Sequence, residues 1–335
     1  MPSTIHLGRH GPQTSRIGLG AMGLSGTYGP AEDEEGIATV RAALDAGIDL
    51  VDTGDFYGMG HNELLTARAL EGRARDDVLI SVKFGAQRGP DGSWLGFDAR
   101  PAAVKTAVAY SLRRLRTDHI DIYRPARLDP QVPIEETVGA IAELVQAGYV
   151  RYIGLSEVGA DTLRRAAAVH PICDLQIEYS LVSRVIEDEI LPVCRELGIG
   201  VTAYGILSRG LLSGHYSAGA STSPGDIRSR MPRFQGENLE RNLALVERLR
   251  EIASSAGATT SQLAVTWVLS RGEDIVPLVG PRNRAQLEDA LGALEVQLGQ
   301  DQLMELEAAV PSEAVAGTRY AEAQMAHLDS ERGRP

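Results

Sequence analysis

Cysteine, lysine and aromatic residues are scarce in this chain, and long apolar runs are missing. Two cysteines occur in 335 residues. Cys173 and Cys194 lie in apolar surroundings without metal-ligand spacing. A disulfide scaffold and a thiolate metal centre are therefore not expected, and a reducing compartment would keep both as small core thiols. No stretch approaches the roughly eighteen apolar residues of a membrane span, and the start, Met1-Pro2-Ser3-Thr4-Ile5-His6, lacks a basic-then-apolar signal. The expectation is a soluble, cytoplasmic protein. Positive charge is in deficit too: 33 basic against 45 acidic residues give a formal net charge of −12. A nucleic-acid surface needs a basic stripe, and no arginine cluster here is interleaved with aromatics. The expected partner is a small molecule, with no nucleic acid and no membrane. The seven histidines show no metal-ligand pairing, so no metal is expected. A P-loop and the serine-hydrolase G-x-S-x-G are absent as well.

Only two of the basic residues, Lys83 and Lys105, are lysine. Lys105 falls in the polar phase of a helical pattern and reads as a solvated charge. Lys83 ends an apolar strand, where a charge needs a reason.

With 43% hydrophobic residues spread from Ile17 to Val310, the chain can bury one large core. Short β-branched runs alternate with helical patterns at a spacing of about forty residues, the signature of repeated βα units. Eight strands are expected: Ile17–Ala21, Ile48–Asp52, Val78–Lys83, Ile120–Tyr123, Tyr152–Leu155, Asp174–Ile177, Gly200–Tyr204 and Ile275–Val279. Helices fall between them at Asp33–Ala46, Ala102–Leu115 and Ile134–Ala147, the last started by Pro133 and stopped by Gly148. An added helix, Leu239–Ser254, precedes the one at Ser261–Ser270. Eight units in one α/β domain over residues 1–310 imply a closed (β/α)8 TIM barrel, followed by a polar tail, 311–335, that either drapes over one face or moves freely. Active sites of such barrels lie at the carboxyl ends of the strands. Those ends are Asp52, Lys83, Arg124, Ser156, Glu157, Glu178, Tyr204 and Gly280.

Gly18-Leu19-Gly20-Ala21-Met22-Gly23 matches the dinucleotide motif G-x-G-x-x-G, but the loop Leu24–Pro30 follows where a helix must begin. The glycines are read as a tight strand end instead. Asp52-Thr53-Gly54-Asp55-Phe56-Tyr57-Gly58 closes the second strand and Ser81-Val82-Lys83-Phe84 the third. An ammonium beside a phenol lowers the phenol's pKa, and a carboxylate holds the ammonium in place. Tyr57 tuned in that way serves as a general acid. Spacing alone leaves open a plain Asp52–Lys83 ion pair with an incidental tyrosine.

The same segments, with Leu7-Gly8-Arg9, Ile153-Gly154-Leu155-Ser156, Gln176-Ile177-Glu178-Tyr179-Ser180 and Ala203-Tyr204-Gly205-Ile206-Leu207-Ser208-Arg209-Gly210-Leu211, resemble the aldo-keto reductases, in the family's order from residue 7 to about 310. The resemblance implies an oxidoreductase that reduces an aldehyde or ketone to an alcohol, with Asp52, Tyr57 and Lys83 at three of the family's four catalytic positions. At the fourth, usually a histidine, Tyr123-Arg124-Pro125-Ala126-Arg127 places Ala126. Alanine cannot donate a hydrogen bond to a carbonyl oxygen. A bulkier substrate, a neighbouring charge or weak catalysis are the competing consequences. Arg124, on the same strand face as Ala126, is one candidate charge, with a structural ion pair as its other reading; His61 is a loop histidine that could also approach.

For the cofactor, the resemblance assigns Ser156, Glu157 and Gln176 to the nicotinamide carboxamide, although asparagine is commoner at Glu157, and Tyr204 to stacking on the ring. Gly205, Ile206, Leu207, Ser208, Gly210 and Leu211 would lie beside the pyrophosphate. Gly280-Pro281-Arg282-Asn283-Arg284 opens a helix, where guanidinium groups suit a 2′-phosphate, so NADP(H) is favoured over NAD(H). The adenine side maps to Gln286 and Asp289, with Ala290 departing from the family's pattern. Tyr28, Phe56, Met59 and Trp94 are candidates for the substrate pocket, together with Arg124 and Ala126. Two other functions compete: a non-catalytic NADP(H)-binding regulator, suggested by Ala126, and a barrel glycosidase using Glu157 and Glu178 as acid and nucleophile.

Overall fold

Each expected apolar run forms a strand, and the eight strands hydrogen-bond in parallel into a closed barrel. The computed structural model describes residues 4–217 and 225–332; residues 1–3, 218–224 and 333–335, the last being the end of the expected tail, lie outside the described residues. In chain order the barrel strands are β1 (Gly18–Gly20), β2 (Leu50–Gly54), β3 (Leu79–Phe84), β4 (Ile120–Pro125), β5 (Val150–Ser156), β6 (Ile172–Glu178), β7 (Gly200–Tyr204) and β8 (Ile275–Val279). Every residue of β2, β4 and β6 is buried, because helices cover the outside while facing side chains fill the inside. Closure comes from the pairing of β8 with β1, Val279 opposite Leu19.

The first helices are α1 (Asp33–Asp45), α2 (His61–Leu70), α3 (Pro101–Leu115), α4 (Ile134–Gln146), α5 (Ala160–Val169) and α6 (Ile190–Leu197). The added helix α7 (Gly236–Ala256) is longer than its sequence pattern suggested, and α8 (Thr260–Leu269) follows it. A capping box starts α8, with Thr259 and Gln262 satisfying each other's backbone N–H. The last two helices are α9 (Arg284–Gly292) and α10 (Gln300–Ala309). Among the described residues no helix is long and apolar enough to cross a membrane.

Two hairpins were not legible in the sequence. Thr4–His6 pairs with Gln13–Ser15 near the amino ends of β6 and β7. There Gly8, at φ +71°, sits so close to the backbone that an added Cβ would lie 2.3 Å from the Cys173 carbonyl oxygen. Only glycine fits that approach. The second hairpin, Ala86–Arg88 with Trp94–Phe97, rises after β3 on the opposite, carboxyl rim. The G-x-G-x-x-G segment runs through β1 into a 3-10 turn, Ala21–Ser25, with α1 starting only at Asp33. No helix N-terminus meets those glycines, so the non-dinucleotide reading of that motif stands.

Candidate active site

Parallel register brings the strand-end charges together. Gly20 lies opposite Asp52, Asp52 opposite Ser81, and Lys83 opposite Arg124. Buried in the barrel, Lys83 Nζ donates to Asp52 Oδ2 and, at 2.8 Å, to Gln176 Oε1; the Gln176 amide returns a 2.8 Å bond to Asp52 Oδ1. The triangle fixes all three polar groups. Gln176, expected against a carboxamide, here orients the charge pair.

One layer below, Arg124 has no exposed surface. Its guanidinium donates to Asp174 Oδ2 at 2.8 Å, Thr202 Oγ1 at 3.2 Å and Ser81 Oγ at 3.0 Å. Ser81 passes the chain on to Asp52 at 2.9 Å. Arg124 is therefore a pillar of the barrel interior; its expected place in the substrate pocket is corrected, because its partners hold the charge beneath the Asp52–Lys83 pair.

Tyr57 follows β2 and packs edge-on against Phe56, ring centroids 4.8 Å apart. Lys83 Nζ stands 5.2 Å from the Tyr57 ring centroid. The expected lowering of the phenol does not occur: burial, followed by the Asp52 carboxylate, pushes it well above its ordinary value, while Arg127 pulls the other way. The physical reason is that Asp52 neutralises the ammonium, and burial itself pushes Lys83 down to about 8. Tyr57 thus carries its proton firmly. A firmly held proton on a phenol suits an acid that gives it only to a developing alkoxide.

Arg127 is the group that sequence reasoning missed. Following Ala126 off the end of β4, it folds back so that Nη1 donates to the Ala126 carbonyl at 2.6 Å and approaches Ser156 Oγ at 3.5 Å. Its Nη2 lies 3.5 Å from the Tyr204 hydroxyl and 3.4 Å from that of Tyr320.

Glu157 adopts φ +53°, a left-handed conformation in which asparagine is tolerated better than glutamate, which gives a backbone reason for the family's usual residue. Its carboxylate accepts from Tyr204 Oη at 2.7 Å, Ser330 Oγ at 2.7 Å and both Arg319 terminal nitrogens at 3.0 and 2.9 Å. Glu178 meets Arg209 at 2.9 Å and Arg319 at 3.4 Å. Burial alone would raise both carboxyls. The guanidinium groups prevail, holding Glu157 far below the usual carboxylate range and Glu178 down to about 2. Neither carboxyl carries a proton to give near neutral pH, so the glycosidase reading, which needs a protonated carboxylic acid, falls. The described part of the tail lies across this mouth: Tyr320 Oη is 3.1 Å from Tyr204 Oη, with the Arg209 guanidinium 4.7 Å from the Tyr320 ring centroid.

The remaining expected cofactor residues line one side of the same rim. Gly205, Ser208, Arg209 and Gly210 all take positive φ, making a tight turn from Gly205 through Ile206 and Leu207 into a 3-10 helix at Ser208–Ser213 that includes Leu211. Beyond β8 and Gly280, Asn283 caps α9 by accepting from the Gln286 N–H at 2.9 Å. Arg284 is neutralised by Glu35, at 3.0 Å. Arg282 instead donates to the carbonyls of Tyr28 and Pro30, and its buried Nε has no partner among the described residues. A guanidinium without a carboxylate at a helix start suits a phosphate. Asp289 turns away to Thr259, at 2.8 Å. Of the pocket candidates, Trp94 is 42% exposed on the second hairpin, beside Phe97 and His327, Met59 is exposed, and Tyr28 lies under the Arg228 guanidinium. His61 bridges Ser25 and Asp33 and is held there.

A closed barrel with a buried carboxylate–ammonium pair and a phenol at the carboxyl rim defines an enzyme of the (β/α)8 class. The aldo/keto reductase family model matches residues 16–311, and the chain belongs to that family. It is similar to a probable aldo-keto reductase 1 from Glycine max, 44% identical over 319 residues, covering 94% of this chain and 91% of that protein. Among solved structures it resembles a glycerol dehydrogenase from Gluconobacter oxydans, with a TM-score of 0.83 and 30% identity over 94% of this chain and 97% of that one. An aldo-keto reductase from Bacillus halodurans in its holo form matches with a TM-score of 0.78 and 26% identity over 93% and 97%. The chain is accordingly an oxidoreductase of carbonyl–alcohol chemistry in a family that uses a nicotinamide cofactor.

Proposed function

We propose that this protein is an NADP(H)-dependent reductase of small aldehydes or ketones, with Tyr57 as the proton donor. The observation that carries the reading is the phenol itself: it stands at the carboxyl rim above the Asp52–Lys83–Gln176 triangle, keeps its proton by burial, and makes no hydrogen bond of its own among the described residues. Arg282, with its unpartnered Nε at the start of α9, supports a 2′-phosphate and hence NADP(H). Ser156, Tyr204, Gly205 and the turn through Leu211 would hold the rest of the dinucleotide.

When bound, the reduced nicotinamide supplies a hydride to the carbonyl carbon and leaves oxidised. The chain's residues do the rest. Tyr57 passes its proton to the carbonyl oxygen as negative charge grows there, and the phenolate left behind recovers a proton from solvent. Lys83, clamped by Asp52 and Gln176 and pushed down to about 8, is the near cation that stabilises the transient phenolate. Cytoplasmic residence remains part of this reading.

The test couples binding to turnover. NADPH titrated by fluorescence should bind both wild type and Tyr57→Phe, whereas reduction of an aromatic aldehyde by Tyr57→Phe should fall by about 10²–10⁴. Absence of NADPH binding would overturn the cofactor reading, and equal rates in the two proteins would overturn the role of Tyr57. Binding without turnover of any carbonyl would favour a regulator.

A further inference from the structure

We infer that Arg127 takes the place of the histidine this chain lacks, presenting its guanidinium to the substrate's carbonyl oxygen beside Tyr57. The inference rests on the reading of Tyr57 as proton donor. It begins at Ala126, whose N–H extends the sheet pairing by donating to the Phe84 carbonyl at 2.8 Å. The methyl side chain is buried there and offers no polar group to the mouth. The next residue supplies one, since the Arg127 side chain doubles back over Ala126 and spans from β4 past Ser156 of β5 to Tyr204 of β7.

The way Arg127 is held separates it from the guanidinium groups gathered around Glu157 and Glu178. Arg209, Arg233 and Arg319 each lie within ion-pair distance of Glu178, Glu157 or both. Arg127 has no carboxylate at ion-pair distance among the described residues. Of its five donors, one makes a close bond, to the Ala126 carbonyl at 2.6 Å, and the hydroxyl contacts are long, 3.4–3.5 Å. A half-buried cation so weakly satisfied is costly unless an oxygen anion comes to it. In carbonyl reduction that anion is the oxygen that turns into an alkoxide. The guanidinium keeps its own proton, so it polarises and does not protonate; the proton still comes from Tyr57. Arg127 also draws the Tyr57 phenol downward against burial and Asp52.

A permanent cation and a histidine leave different signatures. Histidine titrates near ~6.5, whereas arginine stays charged throughout the working range. The experiment measures NADPH-dependent reduction of benzaldehyde against pH, and NADPH affinity by fluorescence, in wild type, Arg127→Met, Arg127→Lys, Tyr57→Phe and the double variant Ala126→His with Arg127→Met. Arg127→Met should lose about a hundredfold in kcat while binding NADPH within about twofold of wild type. Arg127→Lys should retain part of the rate, and added guanidinium ion should restore part of the loss in Arg127→Met. The double variant should regain rate and acquire a histidine-range pH dependence absent from wild type.

An Arg127→Met rate close to wild type, alongside a large loss in Tyr57→Phe, would overturn this inference and leave the Tyr57 reading intact. A fall in NADPH affinity matching the fall in rate would also overturn it, assigning Arg127 to the cofactor. Full activity of Tyr57→Phe would remove the reading on which it rests. If Arg127→Met does not fold, Arg127→Lys decides: a partial loss in kcat with NADPH affinity kept and no histidine-range pH dependence supports a charge at that place, and a wild-type kcat or a loss that follows NADPH affinity opposes it.

Discussion

Arg124 and Arg127 are three residues apart at the end of one strand, and the barrel treats them in opposite ways. Arg124 is locked by Asp174, Thr202 and Ser81. Arg127 touches three hydroxyls loosely and pairs with no carboxylate among the described residues. Arg124 is fully buried in the barrel interior, whereas Arg127 is half-buried at the rim. What distinguishes them further is whether a carboxylate of the protein has already met the charge, as Asp174 does for Arg124. A guanidinium paired in that way holds strands together, even with its Nε left unpartnered among the described residues; one at the rim without a carboxylate is positioned for something that arrives.

The largest effect should come from breaking the satisfied side. Arg124→Met leaves Asp174 buried without its cation and should cost about 3–5 kcal/mol of stability, read by urea denaturation. Arg127→Met, with no ion pair to lose, should cost no more than about 1 kcal/mol. Equal losses in the two variants would erase the contrast.

The tail gives the next largest effect. Arg319→Ala removes the shared cation of Glu157 and Glu178 and should destabilise by about 2–3 kcal/mol at neutral pH. Its pH dependence has a definite sign. Both carboxyls are lowered in the folded state, so their contribution is complete above the unfolded value of about 4.3 and is lost as pH falls toward 2. The difference between wild type and Arg319→Ala should therefore shrink on acidification through that window. A constant difference would mean that Arg319 acts by packing.

Asp55 provides an opposite sign. Burial, followed by the repulsion of Glu63, pushes its carboxyl up to about 7. The folded state then holds a proton that the unfolded chain releases above about 3.9, so stability falls as pH rises from there through 7. Asp55→Asn should raise stability at pH 8 by on the order of 1–2 kcal/mol and by much less at pH 4. A gain independent of pH would place the cause elsewhere. Trp94 on the exposed hairpin should matter least: Trp94→Ala should change stability by less than about 0.5 kcal/mol, and any kinetic effect should appear in KM for bulky carbonyls rather than in kcat.

Much of this molecule was open to reading from its residues. Eight apolar runs at regular spacing gave the barrel, and carboxyl-end placement brought Asp52, Tyr57 and Lys83 into one group. Strand parity put Arg124 on the same face as Ala126. It could not give depth: two residues along a strand are about 6.6 Å, enough to move a side chain from the rim to the layer beneath. Past Pro125 the strand ends, and with it the alternation that would have assigned a direction to Arg127. The direction of the Tyr57 shift was misjudged for a related reason, since the field of Lys83 depends on how completely Asp52 cancels it and on how much water is excluded.

The sequence by itself determined the barrel, the family and the identities of the rim residues, because periodicity and motif order are local properties of the chain. Tertiary structure alone decided which charges are cancelled. Glu157 meets Arg319 across 162 positions, and Glu178 meets Arg209 across 31. Such pairings depend on loop geometry and on where the tail crosses the mouth, and no spacing rule encodes them. The same closure that satisfies those carboxylates leaves Arg127 without one among the described residues.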